Sequence, residues 1–193
     1  MADPVLHLIV GPNGSGKSTF YEHVVFPVTN LPFVNADVIA AERWPDEAID
    51  RAYDAAALAA DERSQLIAER RSFATETVFS HPSKLELVDA ARQSGYVMTL
   101  HVVVVPVALA LARVENRVLL GGHSVPEEKV RARFGRLWRY VKTAIELVDE
   151  AKVYDNSRAT PSFRIVARYR NGYVLGSPVW PGWIPDDVRS AGL

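Results

Sequence analysis

The chain has 193 residues, of which 48% are hydrophobic and 23% are charged. This length and composition predict one folded domain over residues 1–193 and exclude a disordered or fibrous protein. The net charge is −1, so we expect no nucleic-acid partner, because such proteins usually carry a basic surplus. Cysteine is absent, we expect no secretory leader, and the longest apolar run is too short to span a membrane. These features predict a cytoplasmic protein without membrane contact.

Apolar runs of strand length alternate with longer stretches of helical periodicity, which predicts an α/β fold with a mostly parallel central sheet in a three-layer arrangement. The predicted strands are Val5–Val10, Phe33–Ala36, Ser72–Val78, Val97–Val105 and Ala151–Asp155. The predicted helices are Lys17–Val25, Asp46–Arg71, Pro82–Gln93, Ala108–Leu120 and Pro126–Glu150. The unbroken β-branched run Val102–Val105 is typical of a strand that is buried on both faces.

The C-terminal region predicts antiparallel strands followed by an irregular tail. Asn171-Gly172 separates the apolar segments 163–169 and 173–177, and this residue pair favours a tight β-hairpin. The tail, residues 178–193, begins with a segment rich in proline and tryptophan that is unsuited to a helix or a central strand. We expect the tail to cover an apolar surface.

A phosphate-binding motif follows the first predicted strand directly. Gly11–Ser18 reads Gly-Pro-Asn-Gly-Ser-Gly-Lys-Ser, which matches G-x-x-x-x-G-K-[ST] with a helical stretch after it. The glycines let backbone N–H groups surround phosphate, Lys17 is expected to reach the β- and γ-phosphates, and Ser18 is expected to bind Mg²⁺. This predicts a P-loop NTPase fold of the kinase type that uses ATP or GTP. The predicted loop contacts are Gly11, Pro12, Asn13, Gly14, Ser15, Gly16, Lys17, Ser18 and Thr19.

The position of the acidic residue near the phosphate loop distinguishes a kinase from a motor ATPase. Motors place an Asp or Glu after a core strand to help hold Mg²⁺, but Val102–Val105 is followed by Pro106. Asp37 instead ends the second predicted strand, at the edge where open α/β sheets bind ligands. We predict that Asp37 is the catalytic base that accepts the proton of a substrate hydroxyl; the alternative is an N-cap for the segment that starts at Val38.

Two further segments supply polar side chains at strand ends. Glu76 and Thr77 end the third predicted strand and are predicted to hydrogen-bond a polar acceptor substrate, while the alternative for Glu76 is a solvent-facing charge. Asn156 follows the last parallel strand and is predicted to lie near the adenine of the nucleotide. The alternative is a turn built by Asp and Asn side chains.

The helix after Pro126 combines an apolar stripe with a basic sector. Lys129, Arg133 and Arg136 fall in one sector beside the stripe, and Gly121-Gly122 precedes them as a candidate hinge. We interpret residues 121–136 as a lid that brings arginines to the transferring phosphoryl group. Arg133 is the preferred clamp, with Arg136 next; the alternative is an ordinary solvated face.

Taken together, several segments resemble the zeta toxin family of P-loop kinases, most of all its small single-domain bacterial members. They are Gly11–Ser18, Val34–Asp37, Thr75–Thr77, Gly121–His123 and Tyr154–Ser157, in that order over residues 5–157. The resemblance implies transfer of the ATP γ-phosphate to a hydroxyl, with UDP-N-acetylglucosamine as the acceptor in the toxins and an antitoxin that blocks the nucleotide site. It also implies that Asp37 is the base and Glu76 a substrate contact. It makes Arg117 the first phosphate clamp and leaves Arg131, Arg133 and Arg136 as candidates for the second.

Three functions compete. The first is an ATP-dependent kinase that phosphorylates a hydroxyl of a small metabolite, with a nucleotide sugar as one candidate acceptor. The second is a nucleotide-dependent switch or ATPase that acts through a protein partner, favoured by tryptophans at positions 180 and 183 that look exposed in the sequence. The third, a nucleic-acid kinase, is disfavoured by the overall charge.

Overall fold

One seven-stranded sheet organises the part of the chain that the computed structural model describes, residues 3–119, 125–160 and 162–192. Its strands are β1 (Val5–Val10), β2 (Phe33–Val34), β3 (Phe73–Thr77), β4 (Val97–Val104), β5 (Glu150–Asp155), β6 (Arg164–Arg170) and β7 (Tyr173–Val174). The helices are α1 (Lys17–Phe20), α2 (Phe26–Thr29), α3 (Ala36–Arg43), α4 (Ala52–Ala68), α5 (Ser83–Gln93), α6 (Val107–Leu119), α7 (Glu127–Leu147) and α8 (Asp186–Arg189). A π-helical turn, Tyr21–Val25, joins α1 to α2.

The strand order is β2-β3-β1-β4-β5-β6-β7. The first five strands in this order run parallel, and β6 and β7 complete the sheet as an antiparallel hairpin. Parallel neighbours require crossover segments, and the helices between the strands supply them. The predicted α/β fold with a mostly parallel sheet and a C-terminal hairpin is therefore confirmed.

Both faces of the sheet are buried. Leu8 and Val10 of β1 pack into the larger hydrophobic cluster together with Val102 of β4, whereas Ile9 and Val103 pack into the second cluster. Because successive side chains of a strand point to opposite faces, consecutive residues must all be apolar where both faces are covered. This explains the unbroken run of valines, Val102–Val104, at the end of β4.

Several element boundaries differ from the prediction, among them the end of β2, the start of α4 and the end of α7. β2 ends at Val34, because the Asn35 side chain caps α3, so the predicted continuation of the strand to Ala36 is wrong. The helix predicted from Asp46 begins at Ala52, after turns over residues 45–51. The helix predicted to reach Glu150 ends at Leu147, since the next residue is already extended and β5 starts at Glu150.

The hairpin and the tail close one edge of the sheet. Asn171 and Gly172 have φ angles of 49° and 80°, the positive values that a two-residue turn between β6 and β7 requires. In the tail, Trp180 and Trp183 are partly buried against the main core. Among the residues that the structure describes, no helix combines the length and the apolar character needed to cross a bilayer.

Candidate active site

The phosphate loop lies between β1 and α1, at the carboxyl edge of the parallel strands. Its lysine, Lys17, is only 7% exposed, and its Nζ donates a hydrogen bond of 3.1 Å to the Pro12 carbonyl oxygen. Burial lowers the pKa of Lys17, while the carboxylates of Glu76 and Asp37 oppose that change. Ser15 Oγ is fully buried without a hydrogen-bond partner among the described residues. A buried ammonium beside an unused hydroxyl donor fits the binding of phosphate.

Glu76 lies next to the predicted magnesium ligand. It stands near the end of β3, the strand paired with β1, and Ser18 Oγ donates a 2.8 Å hydrogen bond to Glu76 Oε2. Burial raises the pKa of Glu76, and Lys17 and the Ser18 hydrogen bond oppose that rise. A hydroxyl and a carboxylate oxygen in contact are the hard donors that Mg²⁺ prefers. The residues present therefore fit this metal ion.

Asp37 occupies the first turn of α3. The N-cap of this helix is Asn35, whose Oδ1 accepts a 2.7 Å hydrogen bond from the Asp37 backbone N–H. The alternative interpretation of Asp37 as the N-cap is therefore wrong. Its carboxylate is exposed, and Asp37 Oδ2 lies 3.9 Å from Nη1 of Arg117 in α6. This leaves the carboxylate accessible to a substrate hydroxyl.

A cavity of about 860 Å³ collects most of the predicted site. Its lining includes Lys17, Ser18, Asp37, Glu76, Thr77, Arg117, Arg133 and Arg136. Arg131 does not line it and pairs instead with Glu127, at 2.7 Å on the exposed side of α7. Of the three candidates for the second clamp, two thus face the cavity. The predicted hinge, Gly121-Gly122, and His123 lie outside the described residues.

A second cavity of about 620 Å³ meets the first at the phosphate loop. Asn156 lines it and is also buried against the loop, because its Nδ2 donates a 2.9 Å hydrogen bond to the Ser15 carbonyl oxygen. Asp155, rather than Asn156, forms the side-chain turn, accepting a hydrogen bond from the Ser157 N–H. The Phe163 ring lines the same cavity. An aromatic face beside a phosphate loop is a suitable wall for a nucleobase.

Arg113 is a site residue that the sequence analysis missed. It lines both cavities, and its Nη2 donates a 3.0 Å hydrogen bond to the Asn156 carbonyl oxygen. The signal for it was present, because Arg113 precedes Arg117 by four residues and therefore shares one face of α6 with it. Phe163 gave no comparable signal, since it directly precedes β6 and its place beside Gly16 depends on the pairing of β6 with β5.

The fold and the phosphate loop together define a P-loop nucleotide-binding protein. A family model described as "AAA domain" matches residues 6–139, and the chain belongs to this family. No curated protein matches the sequence.

Solved structures extend the comparison at the level of the fold. One belongs to the PezAT chromosomal toxin–antitoxin system of Streptococcus pneumoniae, with a TM-score of 0.64 and 11% identity over 87% of this chain and 72% of that one. An AvrRxo1-ORF1:AvrRxo1-ORF2 complex with sulphate ions gives 0.73 and 15% over 90% of this chain and 61% of that one. The same pair with ATP gives 0.71 and 15%, over 90% and 60%. Our chain thus spans about three fifths of the AvrRxo1 chains that it matches.

Proposed function

We propose that the protein transfers the γ-phosphoryl group of ATP to a hydroxyl of a small molecule. The observation that carries the proposal is one cavity that holds the phosphate loop, an accessible carboxylate and several arginines. Lys17 and Ser18 mark its phosphate end, and Asp37 and Arg117 stand together in the same cavity. Phosphoryl transfer needs little else from a protein, since positioning and charge stabilisation dominate its catalysis.

In this mechanism each residue performs one defined task. The loop N–H groups and Lys17 bind the β- and γ-phosphates. Asp37 accepts the proton of the acceptor hydroxyl as its oxygen forms a bond to the γ-phosphorus, and the bond from that phosphorus to the bridging oxygen of ADP breaks. Arg117, 3.9 Å from Asp37, and Arg133 supply positive charge to the transferring group, a contribution of about 10³- to 10⁵-fold for a well-placed arginine.

Ser18 and Glu76 are the residues that would hold Mg²⁺. The ion, when bound with ATP, would neutralise charge on the β- and γ-phosphates. In this proposal Glu76 binds the metal ion, whereas the family resemblance assigns Glu76 to the acceptor substrate. The hydrogen bond from Ser18 to Glu76 supports the metal-side role. Thr77, which also lines the cavity, remains available to contact the acceptor.

The similarity to zeta toxins supports a narrower form of the proposal. We take a nucleotide sugar such as UDP-N-acetylglucosamine as one acceptor to test, and an antitoxin that covers the nucleotide site as one partner to test. The likeness to a toxin–antitoxin structure and to a two-protein AvrRxo1 complex supports the search for a partner. The switch hypothesis loses one of its two motivations, because Trp180 and Trp183 are partly buried against the core; the other, the phosphate loop, is shared with the kinase hypothesis.

The test combines γ-labelled ATP, a metabolite extract and matched variants. Wild-type protein should label a metabolite, which mass spectrometry identifies. Asp37→Asn should lower transfer by about 10²- to 10⁴-fold, the usual contribution of a general base, while leaving ATP affinity and the melting temperature near wild type. Asp61→Asn, an exposed aspartate of α4 outside the cavity, should transfer at the wild-type rate. Release of inorganic phosphate alone, unaffected by Asp37→Asn, would overturn the proposal.

A further inference from the structure

Two basic side chains lie at the end of the large cavity between α4 and α5, away from the predicted nucleotide contacts. Arg63 of α4 is only 6% exposed, and Lys84 stands in the first turn of α5 and is partly buried. Both line the cavity, together with Thr77, Ser80 and Ser83. We refer to Arg63, Lys84 and these hydroxyl residues as the α4–α5 pocket. The proposed mechanism assigns no role to either cation.

Neither cation forms an ion pair with a carboxylate among the described residues. The ion pairs found there join other arginines and lysines to carboxylates, but none includes Arg63 or Lys84. The guanidinium of Arg63 makes one hydrogen bond within the described chain, a long one of 3.5 Å from Nη1 to Thr75 Oγ1. An arginine carries five N–H donors, so most of its hydrogen-bonding capacity is left for the cavity.

Holding these two charges together is unfavourable for the isolated protein. Burial lowers the pKa of Arg63 against the opposing attraction of Glu62, and burial together with repulsion from Arg63 lowers the pKa of Lys84. Buried charges in proteins are normally paired or bind an ion, because desolvation is otherwise uncompensated. Lys84 also lies at the N-terminus of α5, a helix of 11 residues, where the backbone itself favours an anion. One negatively charged ligand would compensate all of these features.

The pocket is separate from the phosphate end of the cavity. Arg117 and Arg133 are close enough to the phosphate-loop lysine, Lys17, to lower its pKa by repulsion, while neither Arg63 nor Lys84 contributes to that effect. Arg63 instead contacts Thr75, whose own hydroxyl donates to the Val34 carbonyl oxygen at 2.7 Å. Arg63 is thus held beside the middle of β3 and the last residue of β2, the strand that leads to Asp37.

We propose that the acceptor substrate carries an acidic group, a phosphate or a carboxylate, which Arg63 and Lys84 bind while the acceptor hydroxyl faces Asp37. This inference rests on the proposed phosphotransfer function and adds the chemical class of its substrate. Arg63 supplies a planar fork of donors that suits either oxyanion, and Lys84 supplies a point charge.

The first experiment sorts acceptors by charge. A metabolite extract is separated on an anion exchanger at neutral pH, and the retained and unretained fractions are each incubated with the protein and γ-labelled ATP. Label is expected in the retained fraction. Treating that fraction with a phosphodiesterase together with alkaline phosphatase, and removing both enzymes before the assay, distinguishes the two sources. Loss of acceptor activity identifies a phosphate ester, including the diphosphate of a nucleotide sugar, and survival identifies a carboxylate.

The second experiment tests the two residues. Lys84→Met and Arg63→Met should each raise the KM for the labelled acceptor by about 10- to 100-fold, the scale of one charged hydrogen bond, with an unchanged Kd for ATP. Lys84→Arg should keep most of the affinity. Arg92→Met, which removes an exposed cation from the other end of the same helix, is the matched control. Because Lys84 is an uncompensated cation, Lys84→Met should also melt at or above the wild-type temperature without acceptor.

The possible outcomes distinguish a failure of the acidic-acceptor proposal from a failure of the proposed phosphotransfer function. Label in the unretained fraction, or a KM that none of the cavity variants changes, overturns the acidic acceptor and leaves the phosphotransferase standing. Label in neither fraction overturns both. If Arg63→Met fails to fold, Lys84→Met alone decides, because its side chain is only partly buried.

Discussion

Gly16 offers a direct test of how the phosphate loop is supported. It precedes Lys17 and has a φ angle of +89°, and a Cβ at this position would lie 2.7 Å from Asn156 Nδ2. That amide donates the buried hydrogen bond to the Ser15 carbonyl oxygen. Gly16→Ala therefore imposes backbone strain and displaces the side chain that holds the loop.

The expected cost follows from these two effects. A left-handed backbone costs an alanine about 1–2 kcal/mol, and loss of one buried hydrogen bond costs about 1 kcal/mol. The free energy of unfolding should fall by about 2–3 kcal/mol, which corresponds to a melting temperature about 5–10 °C lower for a chain of this size. ATP affinity should also fall, because the loop N–H groups can no longer converge on the phosphates.

The assay pairs thermal unfolding with calorimetric titration of ATP in the presence of Mg²⁺. Gly135→Ala is the matched control, because Gly135 lies within α7 and a methyl group added there would meet no atom within 4 Å; it should gain about 0.5–1 kcal/mol. Adding Asn156→Ala to Gly16→Ala should cost less than the sum of the two single changes, since the clash has then been removed. A Gly16→Ala protein with wild-type melting and ATP affinity would refute the reasoning.

Three further predictions follow from the site and the core. Glu76→Gln should raise the Mg²⁺ concentration needed for half-maximal ATP binding by about 10- to 100-fold; a change only in the acceptor KM would instead support the substrate role. Asn35→Ala should remove the cap of α3, lowering the free energy of unfolding by about 1 kcal/mol and reducing kcat through Asp37, while Asn35→Asp should retain both. Burial lowers the pKa of His101 from 6.5 to about 3, with His7 and Lys152 adding repulsion. The unfolded chain therefore binds this proton below about pH 6.5 and the folded chain does not, so stability falls with decreasing pH. Urea unfolding of His101→Leu should lack about 2 kcal/mol of the wild-type loss between pH 7 and pH 5, and equal losses in both proteins would contradict the assignment.

Local patterns predicted the elements whose signals are contained in a few neighbouring residues. The phosphate loop carries its own glycines and lysine, and Asn171-Gly172 carries the positive φ angles of its turn. The prediction of a strand over Phe33–Ala36 is wrong for its second half, because Asn35 caps α3 through one side-chain hydrogen bond. An apolar run does not reveal such a bond.

The order of the strands within the sheet could not be predicted from the sequence pattern. Without the strand order, the strand before Pro106 is the expected place for a carboxylate that helps to hold Mg²⁺, and that strand carries none at its end. The structure places β3 as well as β4 beside β1, so Glu76 reaches Ser18. Arg63 and Lys84 were missed for the same reason, because each looks like an ordinary helix cation until α4 and α5 meet over one cavity.

One turn of helix α6 carries an arginine contact at each of the two cavities. Arg113 holds the Asn156 carbonyl oxygen beside the smaller cavity, and Arg117, four residues later on the same face, stands 3.9 Å from Asp37 in the larger one. Because a helix turn is stiff, a displacement of α6 changes both contacts together. The position of Arg117 beside Asp37 thus depends on the contact between Arg113 and Asn156, and Asn156 also supports the phosphate loop at Ser15. Binding of phosphate by the loop and placement of positive charge at Asp37 therefore depend on one packed unit.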